Sequence, residues 1–454
     1  MTVTDASSAS LPLRASTPGS TTITVGVRGA GPVVTVVLDP DDPRRDLLAV
    51  DGADLAAAAH HALERRVPLV IEITTAGASA DEGVAALDGW GRAAQAFVAC
   101  SGVVPILMVV TGPTTAGVSL LTGLADVVVM TADAYAFVSG PQMVAEFTGI
   151  TIGNADLGGA AVHARTSGLA HLVAADITEA RAMIDDVLTL LPANTDEEPP
   201  HIGGDDPIDR PTADAPGFLP DTASGSYDVR TVIADVVDDG DLLELRASWA
   251  ANLVTALAVI GGRPVGIVAN QPQTVAGTLD IAASQKGGRF VAFCDAFNLP
   301  IVTFVDTSGF YPGKDLEWRG MIRYGAQLAF AYARATVPRV SVTLRKSYGG
   351  AYIVMDSKYM GNDLALAWPS AEIAVMGAKG AVEILHRRAD ESEREALIDA
   401  YEERLLNPYI AAERGSIDQV IDPYDTRRQV GAALDVLATK RERLPHRRHD
   451  NLPL

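Results

Sequence analysis

The sequence predicts an α/β protein of two tandem domains, each a stack of β-α units on a mostly parallel sheet. Three observations carry this expectation. Apolar, β-branched runs alternate with helical-looking stretches, the alternation occurs twice with matched offsets, and a segment of different composition separates the two occurrences.

The chain has 454 residues, more than one ordinary core holds, so two or more domains are expected. A formal net charge of −21 argues against a general nucleic-acid binder, since phosphate repels such a surface. It leaves room for an anionic small molecule, which needs only a local basic patch. Two cysteines, Cys100 and Cys294, cannot build a disulfide framework and read as buried thiols. The first twenty residues are rich in Ser, Thr, Ala and Pro and lack a basic segment followed by an apolar core. They read as a disordered tail rather than a secretory signal. The longer apolar runs are broken by Gly, Pro or Asp well short of a membrane span. The expectation is a cytoplasmic protein with no membrane or nucleic-acid partner.

The first domain is expected over 21–192. Its Val67-Pro-Leu-Val-Ile-Glu-Ile-Thr-Thr-Ala-Gly77 is an apolar strand ending in small residues. A helical stretch, Gly83 to Cys100, precedes a second strand, Val104-Pro-Ile-Leu-Met-Val-Val110, and the chain passes Asp126 into Val127-Val-Val-Met130. Residues 193–226 are rich in Pro, Asp, Gly and Ser and read as a linker. The second domain, 227–454, repeats the pattern with Leu299 to Gly309, Trp318 to Ala335, Val337-Pro-Arg-Val-Ser-Val-Thr343 and, beyond Asp363, Leu364-Ala-Leu-Ala367. Pro105 precedes Gly117 by the same interval as Pro338 precedes Gly350, so Thr115-Ala116-Gly117 occupies the place of Tyr348-Gly349-Gly350.

That place is where chemistry is expected. In parallel sheets ligands sit beyond the C-terminal ends of strands, near helix N-termini. Gly349, Gly350 and Ala351 carry almost no side-chain bulk, so a substrate carbonyl can approach bare backbone N–H groups there. The same small residues also serve a plain tight strand-to-helix turn. His163 and His171 form an isolated pair of the kind that is usually structural. Asp306 and Asp315 flank Gly309 and Gly313 and read as loop or capping residues. No Gly-Lys-Ser/Thr phosphate loop occurs, so nucleotide hydrolysis is not supported. Met and Lys never adjoin, so the chain carries no Met-Lys biotinylation dipeptide.

Several long stretches of the second half resemble the β (carboxyltransferase) subunits of biotin-dependent acyl-CoA carboxylases. They are Gly262 to Pro272, Ala276-Gly-Thr-Leu-Asp280, Phe293-Cys-Asp-Ala-Phe297, Gly320 to Ala326, Arg345 to Tyr352, Ala367 to Ala378 and the tail Arg448 to Leu454. In the first half Gly140-Pro141, Leu157-Gly-Gly159, Ser167-Gly168 and His171 stand at family-like places. The family's Ser-Gly-Gly-Ala-Arg turn is Thr75-Ala-Gly-Ala-Ser79 here, without its arginine, and its Gly-Gly-Ser-Leu-Gly loop is replaced by Asp39-Pro-Asp-Asp-Pro-Arg-Arg45.

The resemblance implies two crotonase-like (ClpP/crotonase) β-β-α superhelix domains. It also implies carboxyl transfer from carboxybiotin to the α-carbon of a short acyl-CoA such as acetyl- or propionyl-CoA, for fatty-acid or polyketide precursors. Biotin would arrive on a separate biotin carboxylase or carrier subunit, and no metal is needed. Self-association to a hexamer is implied, with each site shared between the N-half of one protomer and the C-half of another. By matched position Gly350 and Ala351 are one catalytic N–H pair, and Ala116 and Gly117 the other, with Ala116 in place of a glycine. That second pair is unstrained at a negative φ and strained at a positive one. Gly349, Tyr352 and Ile353 are the implied substrate contacts. An aliphatic residue at 353 resembles acetyl-CoA-using members, whereas propionyl-preferring ones commonly carry Asp. The lost arginine and glycine loop fall on the CoA side and imply weak CoA contacts, for which Arg45, Arg65, Arg66 or Arg165 could compensate. Alternatives are a pathway-specific carboxyltransferase or decarboxylase acting on an unusual acyl thioester, and a catalytically weak paralogue serving as an assembly subunit.

Overall fold

The computed structural model describes residues 11–12, 19–29, 31–42, 45–220, 222, 225–442 and 444–453, so most of the expected tail 1–20 lies outside the described residues. The chain divides into two compact units, 1–200 and 201–454. Each is built on its own eight-stranded sheet.

In unit 1 the strands are β1 (Leu11–Pro12), β2 (Thr21–Arg28), β3 (Gly31–Leu38), β4 (Leu69–Thr75), β5 (Ile106–Thr115), β6 (Val127–Thr131), β7 (Tyr135–Phe137) and β8 (Leu172–Ala174). They lie in the order β1-β2-β3-β4-β5-β6-β8, with β7 pairing the end of β5. The hairpin β2–β3 is antiparallel, and from β3 to β8 every pairing is parallel. Unit 2 holds β9 (Leu243–Glu244), β10 (Leu253–Ile260), β11 (Arg263–Asn270), β12 (Ile301–Thr307), β13 (Arg339–Tyr348), β14 (Leu364–Ala367), β15 (Glu372–Ala374) and β16 (Gln419–Val420). Their order is β16-β14-β13-β12-β11-β10-β9, with β15 pairing the end of β13. A hairpin feeding a run of parallel strands, used twice, is the repeat that the matched offsets predict.

The central strands are apolar on both faces because helices or loops cover both sides of a parallel sheet. Leu69, Val70, Ile71 and Ile73 of β4 are fully buried, as are Ile301, Val302 and Phe304 of β12. Glu72 interrupts the apolar run of β4, and its burial is made tolerable by Arg181, which donates two hydrogen bonds of 2.7 Å to its carboxylate.

Two helix pairs pack against the sheets: α1 (Ala49–Arg65) with α2 (Val84–Cys100) in unit 1, and α3 (Ile281–Ala296) with α4 (Met321–Arg334) in unit 2. The α1–α2 crossing needs glycine on both helices. A Cβ on Gly52 would lie 2.2 Å from the Gly89 carbonyl carbon, and one on Gly89 would lie 2.9 Å from the Ala49 Cα. Both cysteines are buried, Cys100 at the end of α2 and Cys294 in α3. Burial pushes the Cys100 thiol up to about 11 and the Cys294 thiol well above its ordinary value, so neither forms a thiolate near neutrality. No helix among the described residues is long and apolar enough to cross a membrane.

The helix crossing gives a direct test. Gly52→Ala should destabilise unit 1 by about 1–3 kcal/mol or more, because backbone must move to admit the methyl. Gly91→Ala, on the same helix as Gly89 but with open space at its Cβ position, should be neutral or stabilising by up to about 1 kcal/mol. Thermal unfolding of the two variants should therefore move in different directions.

Candidate active site

Both sheets hand their longest parallel strand to a helix at the same relative position. β13 ends at Tyr348, and α5 (Gly349–Val354) begins at once. β5 ends at Thr115, and a 3-10 helix runs over Ala116–Leu124. The pairing of β12 with β13 shifts between Val305 and Thr307, leaving Thr307 opposite Ser347. The pairing of β4 with β5 shifts between Ile73 and Thr75, leaving Thr75 opposite Thr114. Register therefore makes Ala116 the counterpart of Gly349, Gly117 of Gly350 and Val118 of Ala351. The loops facing these turns correspond as well: Leu47 N–H donates to Gly77 O at 2.7 Å, and Leu279 N–H to Gly309 O at 3.0 Å.

The backbone turns left-handed at the first residue of both helices, with φ +58° at Gly349 and +58° at Ala116. Glycine at 349 follows from this angle and from crowding, since a Cβ there would lie 3.2 Å from Val375 O. Ala116 adopts the positive φ that strains an L-residue. Its methyl is accommodated because the facing residue is Gly77, itself at φ +117°, whose Cβ position lies 3.0 Å from the Ala116 Cβ. Thr115 Oγ1 donates to Ala76 O at 2.8 Å and Ser119 Oγ to Ala116 O at 2.7 Å, holding the turn from both sides.

No side chain caps either helix start. The amides of Gly350 and Ala351, and of Gly117, consequently point out of a first helical turn with no intrahelical acceptor. Ala351 is buried, whereas Ile353 on the same short helix is 40% exposed. Tyr352 is half-buried and donates from its hydroxyl to Ser416 O at 3.4 Å. Gly349, Gly350, Ala351, Tyr352 and Ile353 thus share one helix start in unit 2, and Ala116 and Gly117 share one in unit 1.

An ion pair that sequence reading missed lies under the unit 2 turn. Asp306, at the end of β12, meets Arg345 Nε at 3.1 Å and accepts the Lys346 N–H at 3.1 Å, and both side chains are buried. The Arg345 guanidinium stacks 5.4 Å over the Tyr227 ring. Burial pushes the Asp306 carboxyl above the usual range, against the pull of Arg345. Asp306 is therefore an anchor of the strand end and not the loop or capping residue that sequence suggests. The unit 1 counterparts are Thr74 and Gly112, with the Thr74 hydroxyl 2.9 Å from the Cβ position of Gly112. Only the long sequence interval between Asp306 and Arg345 hid the pair.

The histidines have structural partners. His163 contacts Ser167 Oγ at 2.7 Å and Ala136 O at 2.8 Å, and His171 Nδ1 accepts the Val128 N–H at 3.0 Å. Among the arginines considered, Arg65 and Arg66 end α1 just before β4 begins, at the far end of the sheet from the turn. Arg66 is also paired with Asp196. Arg45 lies at the correct end, where its carbonyl accepts the Ala76 N–H at 2.5 Å, and Arg165 sits on the π-helical turn that His163 ties to β7.

Residues 43–452 match the carboxyl transferase domain. The chain belongs to the carboxyl transferase family. It is 44% identical over 398 residues to the methylmalonyl-CoA carboxyltransferase 12S subunit of Propionibacterium freudenreichii subsp. shermanii, covering 86% of this chain and 76% of that one. It is 44% identical over 412 residues to the propionyl-CoA carboxylase beta chain of Saccharopolyspora erythraea, covering 87% and 76%. Among solved structures, transcarboxylase 12S, described as a hexamer with methylmalonyl-coenzyme A and methylmalonic acid bound, superposes with a TM-score of 0.94 at 40% identity. That match covers 96% of this chain and 85% of the other. The expected tandem crotonase-like fold and the resemblance to acyl-CoA carboxylase β subunits both hold, and the chain is a carboxyltransferase of that type.

Two substitutions test the local physics of this family's turns in the present chain. Asp306→Asn leaves a buried guanidinium without its carboxylate and should cost about 3–5 kcal/mol, part of which Arg345→Met in the same chain should restore. Ala116→Gly removes left-handed strain of about 1–2 kcal/mol and adds about 0.4–1 kcal/mol of unfolded-chain entropy. Urea unfolding should show a net stabilisation of about 0.5–1 kcal/mol.

Proposed function

We propose that this chain transfers a carboxyl group from carboxybiotin, presented on a separate biotin-carrying subunit, to the α-carbon of a short acyl-CoA. The observation that carries this reading is the pair of uncapped strand-to-helix turns, repeated at equivalent register in two units of one carboxyltransferase fold. Carboxybiotin supplies the activated carboxyl group. Charge develops on a ureido oxygen as that group departs as CO2, and on the thioester oxygen as the α-proton passes to the biotin so released and the α-carbon bonds to the CO2. The amides of Gly350 and Ala351 donate to the first oxygen, and in unit 1 the amide of Gly117, the register counterpart of Gly350, donates to the second. That of Ala116 joins it, one position earlier than the Val118 that strict register pairs with Ala351. Donors fixed by a strand end need no reorganisation when the charge appears, and each of this kind is worth about 10²–10³ in rate.

The start of α5 offers backbone amides with little side-chain bulk to a planar ring carrying a carbonyl. Gly349 and Gly350 present no side chain, and their Cβ positions are bounded by Val375 O at 3.2 Å and Phe310 Cε2 at 3.3 Å. Tyr352 and Ile353, one turn along, line the acyl end, and an exposed isoleucine there favours short apolar chains. Arg45, whose backbone lies at the turn end of unit 1, is our candidate to meet CoA phosphate in the absence of an arginine at Ser79. Exposed Phe147, Trp318 and Ile322, each more than three-quarters accessible in the single chain, support assembly of several copies, for which the transcarboxylase 12S hexamer is the precedent.

The test is a panel of acyl-CoAs assayed with the purified biotin-carrying subunit. Acetyl- or propionyl-CoA should give the highest kcat/KM, and Ile353→Asp should change the ratio between them by about tenfold, because a carboxylate adds charge and desolvation cost to an apolar wall. A folded Ile353→Asp oligomer with an unchanged ratio would remove residue 353 from the acyl site. Wild-type protein that transfers no carboxyl group to any member of the panel would overturn the reading.

A further inference from the structure

Each turn is backed by an aromatic ring, and the two rings come from different parts of the chain. In unit 2 the ring is Phe310, just after β12, whose Cε2 lies 3.3 Å from the Cβ position of Gly350. The bridges Leu279↔Phe310 and Leu47↔Ala78 make Ala78 its counterpart in unit 1. Alanine there cannot reach the turn. Trp90 of α2 takes over instead, bringing Cζ2 within 3.4 Å and Cε2 within 3.9 Å of the Cβ position of Gly117. One side of the indole packs on the unit 1 core, and the residue remains partly exposed.

Two details set this ring apart from a plain core residue. Its Nε1 is buried and has no hydrogen-bond partner, so a donor beside a row of backbone donors is left unpaired. An exposed leucine also lies one turn away on each of the two helices that meet here. Leu87, one turn before Trp90 on α2, is 52% exposed. Leu120, one turn after Gly117 on a helix with three residues per turn, is 55% exposed.

We propose that Trp90 determines acyl specificity at the unit 1 turn. Its ring forms the wall along which the acyl group lies when the thioester oxygen reaches the Gly117 amide. Its indole N–H gains an acceptor when the thioester is bound. Leu120 and Leu87 extend the same wall, so the indole reads chain length on the unit 1 side, in addition to Ile353 of unit 2. This rests on the reading of that turn as the thioester site.

The test uses the full assembled protein with its biotin-carrying subunit and three forms: wild type, Trp90→Phe and Trp90→Ala. Removing the wall should raise the kcat/KM ratio of butyryl-CoA to acetyl-CoA about tenfold in Trp90→Ala. Trp90→Phe, which keeps a ring and loses the N–H, should hold that ratio within about twofold while raising KM several-fold for every thioester. Binding is followed separately through tryptophan emission on titration with acetyl-CoA, where the change seen in wild type should vanish in Trp90→Phe although calorimetry still detects binding. A Trp90→Ala oligomer that slows all thioesters by one common factor, or an emission change undiminished in Trp90→Phe, would overturn the proposal and leave the carboxyltransferase reading standing. Should Trp90→Ala fail to assemble, the emission of Trp90→Phe decides alone. Absence of thioester binding and turnover in wild type would overturn both readings together.

Discussion

The structure depends on how a buried parallel strand can end. Its last residue must pass from an extended to a helical backbone within one step, and the new helix starts with amides that nothing inside it can satisfy. Most helices answer this with a Ser, Thr, Asp or Asn cap. Here neither β13 nor β5 is followed by such a cap, and a left-handed residue makes the transition abruptly. The donors are therefore held rigidly at the open end of the sheet, and the rest of each unit keeps them there. Parallel pairing fixes the strand, the facing loop bridges across it, and an aromatic ring backs the turn. A site made of backbone has one further property: its donors are indifferent to most substitutions at their own positions, provided that the path of the chain survives.

Two units meet that requirement with different materials. Unit 2 uses glycine at the left-handed position, a buried Asp–Arg pair under the strand end and phenylalanine behind the turn. Unit 1 uses alanine, a Thr–Gly contact and tryptophan from a neighbouring helix. The shared element is the register irregularity that brings residue 114 opposite 75 and residue 347 opposite 307. What has been kept between the halves is backbone geometry, and side chains have been free to change around it. This accounts for the weak internal repeat at the level of residue identity and the close repeat at the level of strand order.

Much of the fold was legible because buried parallel strands leave a coarse signal. Runs such as Leu69–Thr75 and Ile301–Thr307 are dominated by apolar and β-branched residues, each broken by a single carboxylate, and Pro105 and Pro338 mark the entries to the two longest central strands. The turns were legible too, since few demands other than tight backbone approach select Gly349-Gly350-Ala351. Harder to see was everything that depends on residues far apart in the chain. Asp306 and Arg345 each look ordinary alone, and only the β12–β13 register brings them together. Trp90 sits in a helix whose apolar pattern explains it as core, and nothing local announces its contact with Gly117. The sign of φ at Ala116 was likewise open, because alanine gives no hint of a left-handed backbone. Resemblance suggested where the chemistry would sit, and packing supplied the reasons for the particular residues.

The silence of the two cysteines has a practical side. Cys100 and Cys294 are enclosed in the units and keep their protons near neutrality. Thiol reagents therefore meet no native competitor on the folded surface. A cysteine introduced on the outward face of α5 or beside Leu120 would be a unique attachment point for a fluorophore or spin label. The two turns could then be watched one at a time during turnover without first stripping sulfur from the protein.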